Sequence, residues 1–501
     1  MASKLLRGFL SVVSGRFGTL FLGILITPIL VRMLGSDGYG DYAFITALLG
    51  VTTTLTAVGG VTSGVRKFMV EDRDIKQWDS HVFAFYLRFA VAMVAVAGVV
   101  IIAYAWSGLA EAQFGTEFVV YFYLLAAMAV TDQLYQLVRA TLMGMSKEHL
   151  SEPLSVAKKG VYGLVALSLV YYGAGVSGAL TGRVAGAAAA AIGCTLFLIR
   201  YLDFKTITKP SPPSFPRKEL LSFNFASLLL LFFMTSLYQV DVILLQPLSG
   251  SSEAGIYKSA LVIAEFLWFV PHAAQLVLLH SMSELWASDD TAAISERVST
   301  ITRYTLLFTT LLVVGLASLA EPFIRLYYGP EFVAAVLPLL LLLPGTLGFA
   351  LTRPILSTSQ ASGQIRPLVI ATGTAATINL VLNLLLIPFY GIVGAAIATS
   401  VGYGSMFVFH VITARRIGFD PLHDLRVGRV AISGIVTAVV VFPLAGTLSG
   451  IFVPLLVVPP VGFVVFLVAA VTTSALTDSE VAAAKAEIEH RLGSFDPLAA
   501  D

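Results

Sequence analysis

The sequence predicts an all-α membrane protein that crosses the bilayer about fourteen times. Of its 501 residues, 57% are hydrophobic and only 12% are charged, whereas a soluble domain carries about 25% charged residues. Apolar runs recur along the chain, each close to the roughly 20 residues that one membrane-spanning helix needs. The basic residues between these runs are concentrated in alternate loops. Together these observations indicate a polytopic helical protein.

The predicted spans follow one another with short loops. The first apolar stretch, about 9–31, is longer than the core of a signal peptide and no small-residue cleavage site follows it, so we expect it to stay in the protein. The fourteen spans are expected near 8–34, 39–65, 80–106, 117–144, 154–173, 176–200, 219–247, 254–283, 298–320, 333–360, 365–388, 392–414, 429–448 and 451–476.

The orientation follows from the distribution of lysine and arginine. Basic loops are expected near 66–76, 147–159 (with Lys158 and Lys159), 205–218, 297 and 415–429. Such loops face the cytoplasm in membrane proteins. We therefore expect a multi-pass protein of the cytoplasmic (plasma) membrane with both termini in the cytoplasm.

The chain contains an internal repeat. Residues 40–43, 139–142 and 175–179 recur in order as 255–258, 353–356 and 391–395, at offsets of 215, 214 and 216. Repeats with the same topology are typical of transporters that place the substrate path between two lobes. We predict an N-lobe at 1–208 (spans 1–6), a cytoplasmic linker at 209–218, a C-lobe at 219–416 (spans 7–12), two further spans at 428–476 and a cytoplasmic tail at 477–501.

Composition excludes several classes of function. The net charge of +1 lacks the basic excess of a nucleic-acid-binding protein. Cys194 is the only cysteine, so no internal disulfide and no cysteine-based metal site is possible. We expect no cofactor other than a coupling ion and no nucleic-acid partner.

Three stretches carry a resemblance to a known family. They are RMLGSDGYGDYA at 32–43, DVILL at 241–245 with EAGIY at 253–257, and NLVLN at 379–383 with IPFYGIVGAAIAT at 387–399. They resemble the O-antigen and oligosaccharide flippases of the MOP (multidrug/oligosaccharidyl-lipid/polysaccharide) superfamily, over about residues 1–416. The resemblance implies a two-lobed secondary transporter for a lipid-linked oligosaccharide, working by alternating access and driven by a cation gradient.

Five ionisable side chains are expected inside spans of the first lobe: Arg16, Arg88, Asp132, Arg139 and Arg183. Charges inside a membrane are costly and mark functional sites. Arginine suits the phosphate or pyrophosphate of a lipid-linked sugar, so the four arginines are candidate head-group ligands. Alternatively, Arg88 and Arg139 extend to the inner interface, and Arg16 and Arg183 form structural pairs with Asp132.

Oxygen-bearing side chains share one depth in the second lobe. Asp241, Asn379, Asn383 and Thr399 are expected within roughly 8–14 Å of the outer boundary at 1.5 Å per residue. Such oxygens can coordinate a hard cation such as Na⁺, or they can form hydrogen bonds between helices. The resemblance implies a cation site, because lipid II flippases of this superfamily have one at matching positions. Asn383 replaces an acid there and leaves Na⁺ and H⁺ coupling open.

Glu265 is a further candidate for ion coupling. It is expected near the middle of span eight, where burial disfavours the charged carboxylate, so it could carry a proton. Alternatively, Glu265 is a buried partner of Lys258.

Two other functions fit a polytopic membrane protein. A multidrug/cation antiporter of the MATE type would favour acids in the first lobe, which is rich in arginine here. A membrane glycosyltransferase or sugar polymerase needs carboxylates on a sizeable loop outside the membrane, and the predicted outer loops are short. We expect a monomeric transporter whose partners are a lipid-linked oligosaccharide, membrane lipid and glycan-assembly enzymes.

Overall fold

The computed structural model describes residues 2–57, 61–71, 73–222, 225–483 and 486, and within the first helix it leaves undescribed the side chains of residues 2–13 and of Arg16. The chain forms two compact units. Unit 1 comprises Met1–Ser259 and Thr372–Thr399, and unit 2 comprises Ala260–Ala371 and Ser400–Asp501. The predicted lobe, linker and tail boundaries stay predictions, and most of the predicted tail at 477–501 lies outside the described residues.

Unit 1 is built from the helices of the first half of the chain. They are α1 (Ala2–Thr56), α2 (Ser63–Phe68), α3 (Trp78–Trp106), α4 (Leu109–Phe114), α5 (Glu117–Gly144), α6 (Glu148–Leu169), α7 (Gly175–Leu198), α8 (Phe204–Ile207), α9 (Arg217–Ser222), α10 (Phe225–Ser249) and the first part of α11 (Ser251–Glu265). The middle of α16 (Ile365–Ile417) completes the unit.

Unit 2 contains the remaining helices. They are α12 (Phe269–Ala287), α13 (Thr291–Ser318), α14 (Ala320–Tyr327), α15 (Val336–Ala361), the two ends of α16, α17 (Val427–Thr447) and α18 (Phe452–Thr472). Short 3₁₀ segments lie at Phe266–Trp268 and Pro330–Ala335, and a π-helical turn at Val170–Ala174 joins α6 to α7 in unit 1.

The all-helical fold class is confirmed. Within the described residues, eleven helices are long and apolar enough to cross a membrane. Three of them, Phe17–Thr56, Glu148–Leu198 and Ile365–Ile417, each cover two predicted spans. Fourteen spans stays a prediction.

Each of these three long helices is interrupted at glycine. Gly35 has φ 68°, Gly173 has φ 88°, and Gly391 has φ 52°. A positive φ is readily adopted only by glycine, which lacks a Cβ. The helix is therefore broken where the sequence supplies glycine between two apolar runs.

Small residues allow α6 and α7 to approach closely. A Cβ on Gly182 would lie 2.6 Å from Ala166 Cβ and 2.7 Å from Ala166 N. A Cβ on Gly186 would lie 2.6 Å from the carbonyl oxygen of Lys158. Close backbone contact through small residues is typical of membrane helices, and it sets the position of the polar residues on α6.

Two members of the predicted repeat pack reciprocally within unit 1. A Cβ on Gly40 would collide with the backbone of Ser251, and a Cβ on Gly255 would collide with the backbone of Ser36. Ser252 Oγ donates a hydrogen bond to Ser36 Oγ at 2.9 Å. Because Gly40 matches Gly255 and Ser36 matches Ser251 at the repeat offset, equivalent parts of the two copies meet each other.

Unit 2 contains two buried arginines that the sequence analysis overlooked. Arg303, 2% exposed, pairs with Asp424 and Glu480. Arg353 lies 4.7 Å from the ring centroid of Phe349 and 5.7 Å from that of Trp268. Charges inside the protein are therefore not confined to the first half of the chain.

Candidate functional site

A polar cavity of about 380 Å³ lies within unit 1. Its walls come from α1, α5, α6 and α7. The lining residues are Thr19, Asp132, Tyr135, Gln136, Arg139, Glu152, Ser155, Lys158, Lys159, Tyr162 and Arg183. We call it the cationic cavity, because four of its side chains are basic and two are acidic.

Two of the four cations are neutralised within the cavity. Lys158 Nζ pairs with Asp132 Oδ1. Arg139 pairs with the buried Glu152, with 2.6 Å between Arg139 Nη2 and Glu152 Oε1. Burying a charge is tolerated when a partner compensates it, so these two pairs account for both acids of the cavity.

Lys159 and Arg183 supply the remaining positive charge. Lys159 Nζ lies 4.9 Å from the ring centroid of Tyr162, and Arg183 Nη1 donates to the hydroxyl of Tyr42 at 3.3 Å. The Tyr42 and Tyr162 hydroxyls are 2.8 Å apart and hydrogen-bonded. Neither cation forms an ion pair with an acid in the described part of the chain, so the cavity has two positive charges in excess.

The cavity contains some of the predicted head-group ligands. Arg139 and Arg183 line it, whereas Arg88 does not and instead donates to the carbonyl oxygens of Ile207, at 2.6 Å, and Lys209. The side chain of Arg16 lies outside the described residues. The proposed pairing of Asp132 with Arg183 is not observed, because Lys158 takes that carboxylate.

Lys158 and Lys159 correct the sequence analysis, which placed them in a basic loop. Both lie on α6 and line the cavity. The sequence does contain an indication that the two lysines are helical: the apolar run at 154–173 continues on both sides of them. A lysine pair enclosed by such a run belongs to the helix.

The four predicted oxygen-bearing residues form one cluster in unit 1. Asp241 is fully buried, and its Oδ2 accepts hydrogen bonds from Thr399 Oγ1 at 3.0 Å and from the hydroxyl of Tyr257. Asp241 Oδ1 accepts from the backbone N–H of Val242 at 2.9 Å. Asn379 Nδ2 donates to Thr399 Oγ1 at 3.3 Å. We call Asp241, Tyr257, Asn379, Asn383 and Thr399 the oxygen cluster.

Two amide oxygens of the oxygen cluster lack hydrogen-bond donors. Asn383 Nδ2 donates to the carbonyl oxygen of Asn379 at 3.0 Å, so the two asparagines lie on one face of α16. The Oδ1 atoms of Asn379 and Asn383 are buried, and no described residue donates to them. Buried acceptors without donors are uncommon in native proteins, and carbonyl oxygens beside a carboxylate are ligands that suit a hard cation.

Tyr257 belongs to the oxygen cluster, although the sequence analysis did not predict it. It follows Asp241 by sixteen residues and lies in the EAGIY stretch quoted for the family resemblance. Glu265, the other predicted coupling residue, is the last residue of α11 and belongs to unit 2. The cluster therefore contains a single carboxylate, that of Asp241.

Two family models match the chain. The polysaccharide biosynthesis protein family matches residues 5–268, and the lipid II flippase MurJ family matches residues 160–463. Each covers more than half of the sequence, and together they cover both units.

Two curated relatives are similar to the chain. The probable low-salt glycan biosynthesis flippase Agl15 of Haloferax volcanii is 23% identical over 88% of this chain and 89% of its own length. The uncharacterized membrane protein MJ1068 of Methanocaldococcus jannaschii is 29% identical, and the chain spans only 34% of its length.

The solved structures share the fold. The lipid II flippase MurJ in an inward closed conformation has a TM-score of 0.72 at 14% identity, covering 92% of this chain and 98% of its own. An inward-facing MATE transporter of the MOP superfamily has a TM-score of 0.65 at 16% identity, covering 79% of this chain and 94% of its own. Since both flippases and drug transporters have this fold, the fold does not distinguish between them, but the family models do: the chain belongs to the polysaccharide biosynthesis protein family and is a transporter of the flippase type.

Proposed function

We propose that this flippase moves an oligosaccharide linked through phosphate or pyrophosphate to a polyprenyl or dolichol carrier, across the cytoplasmic membrane, by ion-coupled alternating access. Agl15 is described as a probable low-salt glycan biosynthesis flippase and MurJ as a lipid II flippase, and both descriptions support a lipid-linked sugar as the substrate. The observation that carries the proposal is the excess of two positive charges in the cationic cavity.

The cavity has the chemistry of a phosphate site. A phosphate diester or pyrophosphate carries one or two negative charges and several acceptor oxygens. Lys159 and Arg183 together supply two positive charges and the N–H donors of an ammonium and a guanidinium group. Because these groups lie in a partly desolvated space, their attraction for an anion is stronger than it would be in water.

The alternative of a drug/cation antiporter is disfavoured by the same charges. A cationic drug requires an acid that the protein does not already neutralise. Among the described lining residues, the acids are Asp132 and Glu152, and both are paired with basic side chains. The similarity to MATE transporters concerns the fold alone.

The oxygen cluster is the proposed coupling site. We infer that it binds Na⁺ through Asp241, Asn379, Asn383 and Thr399, because Na⁺ accepts several oxygen ligands at once. A proton on Asp241 would provide a donor for at most one of the two amide oxygens that lack donors.

The concentration of lysine and arginine in alternate loops supports the cytoplasmic placement of both termini.

A transport assay tests the head-group proposal. The purified full chain is placed in proteoliposomes, and translocation of a polyprenyl-pyrophosphate-linked oligosaccharide is measured. Lys159→Gln is expected to weaken apparent substrate affinity about tenfold or more, because a charge-assisted hydrogen bond contributes roughly 1.5–3 kcal/mol. Lys147→Gln, the same change just before α6 and outside the cavity, is the control and should behave as the unaltered protein.

Two outcomes would contradict the proposal. One is equal transport by the Lys159→Gln variant and the unaltered protein. The other is export of cationic dyes with no movement of the lipid-linked sugar, which would favour the drug antiporter.

A second experiment uses cells. Deletion of the protein should cause the lipid-linked oligosaccharide to accumulate on the inner leaflet.

A further inference from the structure

A second polar cavity of unit 1 is separate from the cationic cavity. It has a volume of about 510 Å³ and shares no lining residue with the first. One wall is the turn before α3, with Asp74, Lys76 and Gln77, and the first turn of α3, with His81. The other wall follows α7 and includes Thr206 and Lys209. Neither the proposed transport step nor the coupling site uses this cavity.

The walls are tied together by hydrogen bonds. Gln77 Nε2 donates to Asp203 Oδ2 at 2.7 Å, and Thr206 Oγ1 donates to Gln77 Oε1 at 2.6 Å. Gln77 adopts a left-handed backbone conformation with φ 59°. Arg88 Nη2 donates to the carbonyl oxygens of Ile207 and Lys209. The segment that carries Lys209 is therefore fixed onto α3 without any ligand.

The cavity has a surplus of positive charge. Lys76 and Lys209 line it, and the guanidinium of Arg88 lies behind the backbone of Lys209. Among the described lining residues, the one acid is Asp74. The nearby carboxylate of Asp203 already accepts hydrogen bonds from the Lys205 N–H and from Gln77.

His81, in the wall formed by α3, has a ring nitrogen to which no described residue forms a hydrogen bond. Its side chain is 8% exposed, and its Nδ1 is buried with no hydrogen-bond partner in the described part of the chain. A buried polar atom of this kind is costly unless a ligand or water completes it. His81 is the fourth residue of α3, a helix long and apolar enough to cross a membrane. The cavity therefore lies at the end of this candidate span, where a bilayer around the helix would place its head groups.

We propose that this second cavity binds the phosphate group of an anionic head group, held by Lys76, Lys209 and His81. Basic pockets at the cytoplasmic ends of spans are suited to anionic lipids. The same phosphate chemistry is offered by membrane phospholipid and by phosphate in solution. The inference does not depend on the transported substrate, and it assigns this cavity a separate ligand.

Lipid retention tests the inference. The full chain is purified in detergent and titrated with dioleoylphosphatidylglycerol or, for comparison, zwitterionic dioleoylphosphatidylcholine, and bound lipid is counted by native mass spectrometry. The Lys76→Gln/Lys209→Gln variant should bind phosphatidylglycerol at least tenfold more weakly, since each lysine near the head group contributes about fivefold. His81→Gln should also weaken binding. Lys218→Gln, an exposed lysine outside the cavity, is the matched control.

The outcomes are distinct. Selective loss in the cavity variants, with unchanged oligosaccharide transport, supports the site. Inorganic phosphate at millimolar concentration is also added. If it displaces the lipid from the unaltered protein but not from the cavity variants, the site binds phosphate from solution as well as phosphate of a lipid head group. Equal binding by all variants, or an equal loss with Lys218→Gln, would overturn the inference, and neither result would affect the cationic cavity.

Discussion

At the scale of single residues, Asp241 combines burial, charge and polar neighbours. It is fully buried and accepts hydrogen bonds from Thr399, Tyr257 and the Val242 N–H. A carboxylate in such a place persists when donors or a cation compensate its charge. Asp241 is therefore the residue at which ion binding can be tested most directly.

Asp241→Asn is expected to abolish Na⁺-driven transport, because the change keeps the shape and removes the one charge in the oxygen cluster. Transport of the lipid-linked oligosaccharide in proteoliposomes, with an imposed Na⁺ gradient, is the measurement. The variant should still fold and purify as a single species.

An isosteric control separates coupling from packing. Asn379→Asp adds a carboxylate where an amide oxygen lacks a donor, so it should preserve or strengthen Na⁺ dependence. Normal gradient-driven transport with Asn at position 241 would refute the coupling role. Dependence on a proton gradient alone would assign the site to H⁺.

At the scale of helices, glycine determines both where the long helices are interrupted and how closely two helices pack. The breaks at Gly35, Gly173 and Gly391 have positive φ. Gly182, by contrast, has ordinary helical geometry and is required by the close approach of α6 to α7. That approach places Lys158 and Lys159 of α6 beside Arg183 of α7 in the cationic cavity.

Gly182→Ala is expected to destabilise the protein by about 1–3 kcal/mol, because the added methyl would collide with Ala166 and overpacking has that cost. Thermal unfolding in detergent measures the effect. Gly160→Ala is the matched control: Gly160 lies on α6, and apart from its chain neighbours and its own helix backbone nothing lies within 4 Å of its added Cβ. The control should be neutral or slightly stabilising, since alanine favours a helix over glycine. Equal thermal unfolding midpoints for Gly182→Ala and Gly160→Ala would contradict the conclusion that close helix packing requires glycine at position 182.

At the scale of the whole molecule, the chain after the last span is fixed within unit 2. Arg303 of α13 pairs with Asp424 at 2.7 Å and with Glu480. Glu480 also accepts from Tyr304, at 2.7 Å, and from the Thr477 N–H, at 2.8 Å. We call Arg303, Asp424 and Glu480 the C-terminal clasp. It attaches the start of the tail to the core by interactions that span 177 residues of sequence.

The C-terminal clasp should make stability depend on pH. Burial opposes ionisation of Glu480, but hydrogen bonds from Thr477 and Tyr304 and the charge of Arg303 outweigh it, so the pKa of Glu480 is lowered. A lowered folded-state pKa means that the stabilisation is present above the ordinary glutamate pKa of about 4.3 and is lost as pH falls through the folded value.

Glu480→Gln is expected to cost about 2 kcal/mol near neutral pH, because it removes one charged partner of a buried arginine. Its deficit in unfolding midpoint should shrink as the pH is lowered below about 4. Glu284→Gln, an exposed glutamate of unit 2, serves as control and should show no such trend. A deficit that is constant with pH would show that the carboxylate charge does not contribute.

The sequence by itself determined the fold class, the family and the main residues of the oxygen cluster. Composition and apolar runs suffice for the first, because a bilayer requires long apolar helices. The oxygen cluster was predictable because depth in a membrane follows from position along a helix: Asp241, Asn379 and Thr399 were expected at one depth and are joined by hydrogen bonds.

Only the tertiary structure decided which charges meet. The charge pattern predicts a loop at Lys158, which instead lies on a helix as the partner of Asp132. Arg303 is buried against residues more than 120 positions away, which no local pattern indicates. An ion pair depends on side-chain separation and burial, and neither is encoded in local periodicity. Short-range sequence patterns are enough to predict the helices and the family. The two surplus positive charges of the cationic cavity depend on which basic residues pair with its acids across helices, and only the tertiary structure shows those pairs.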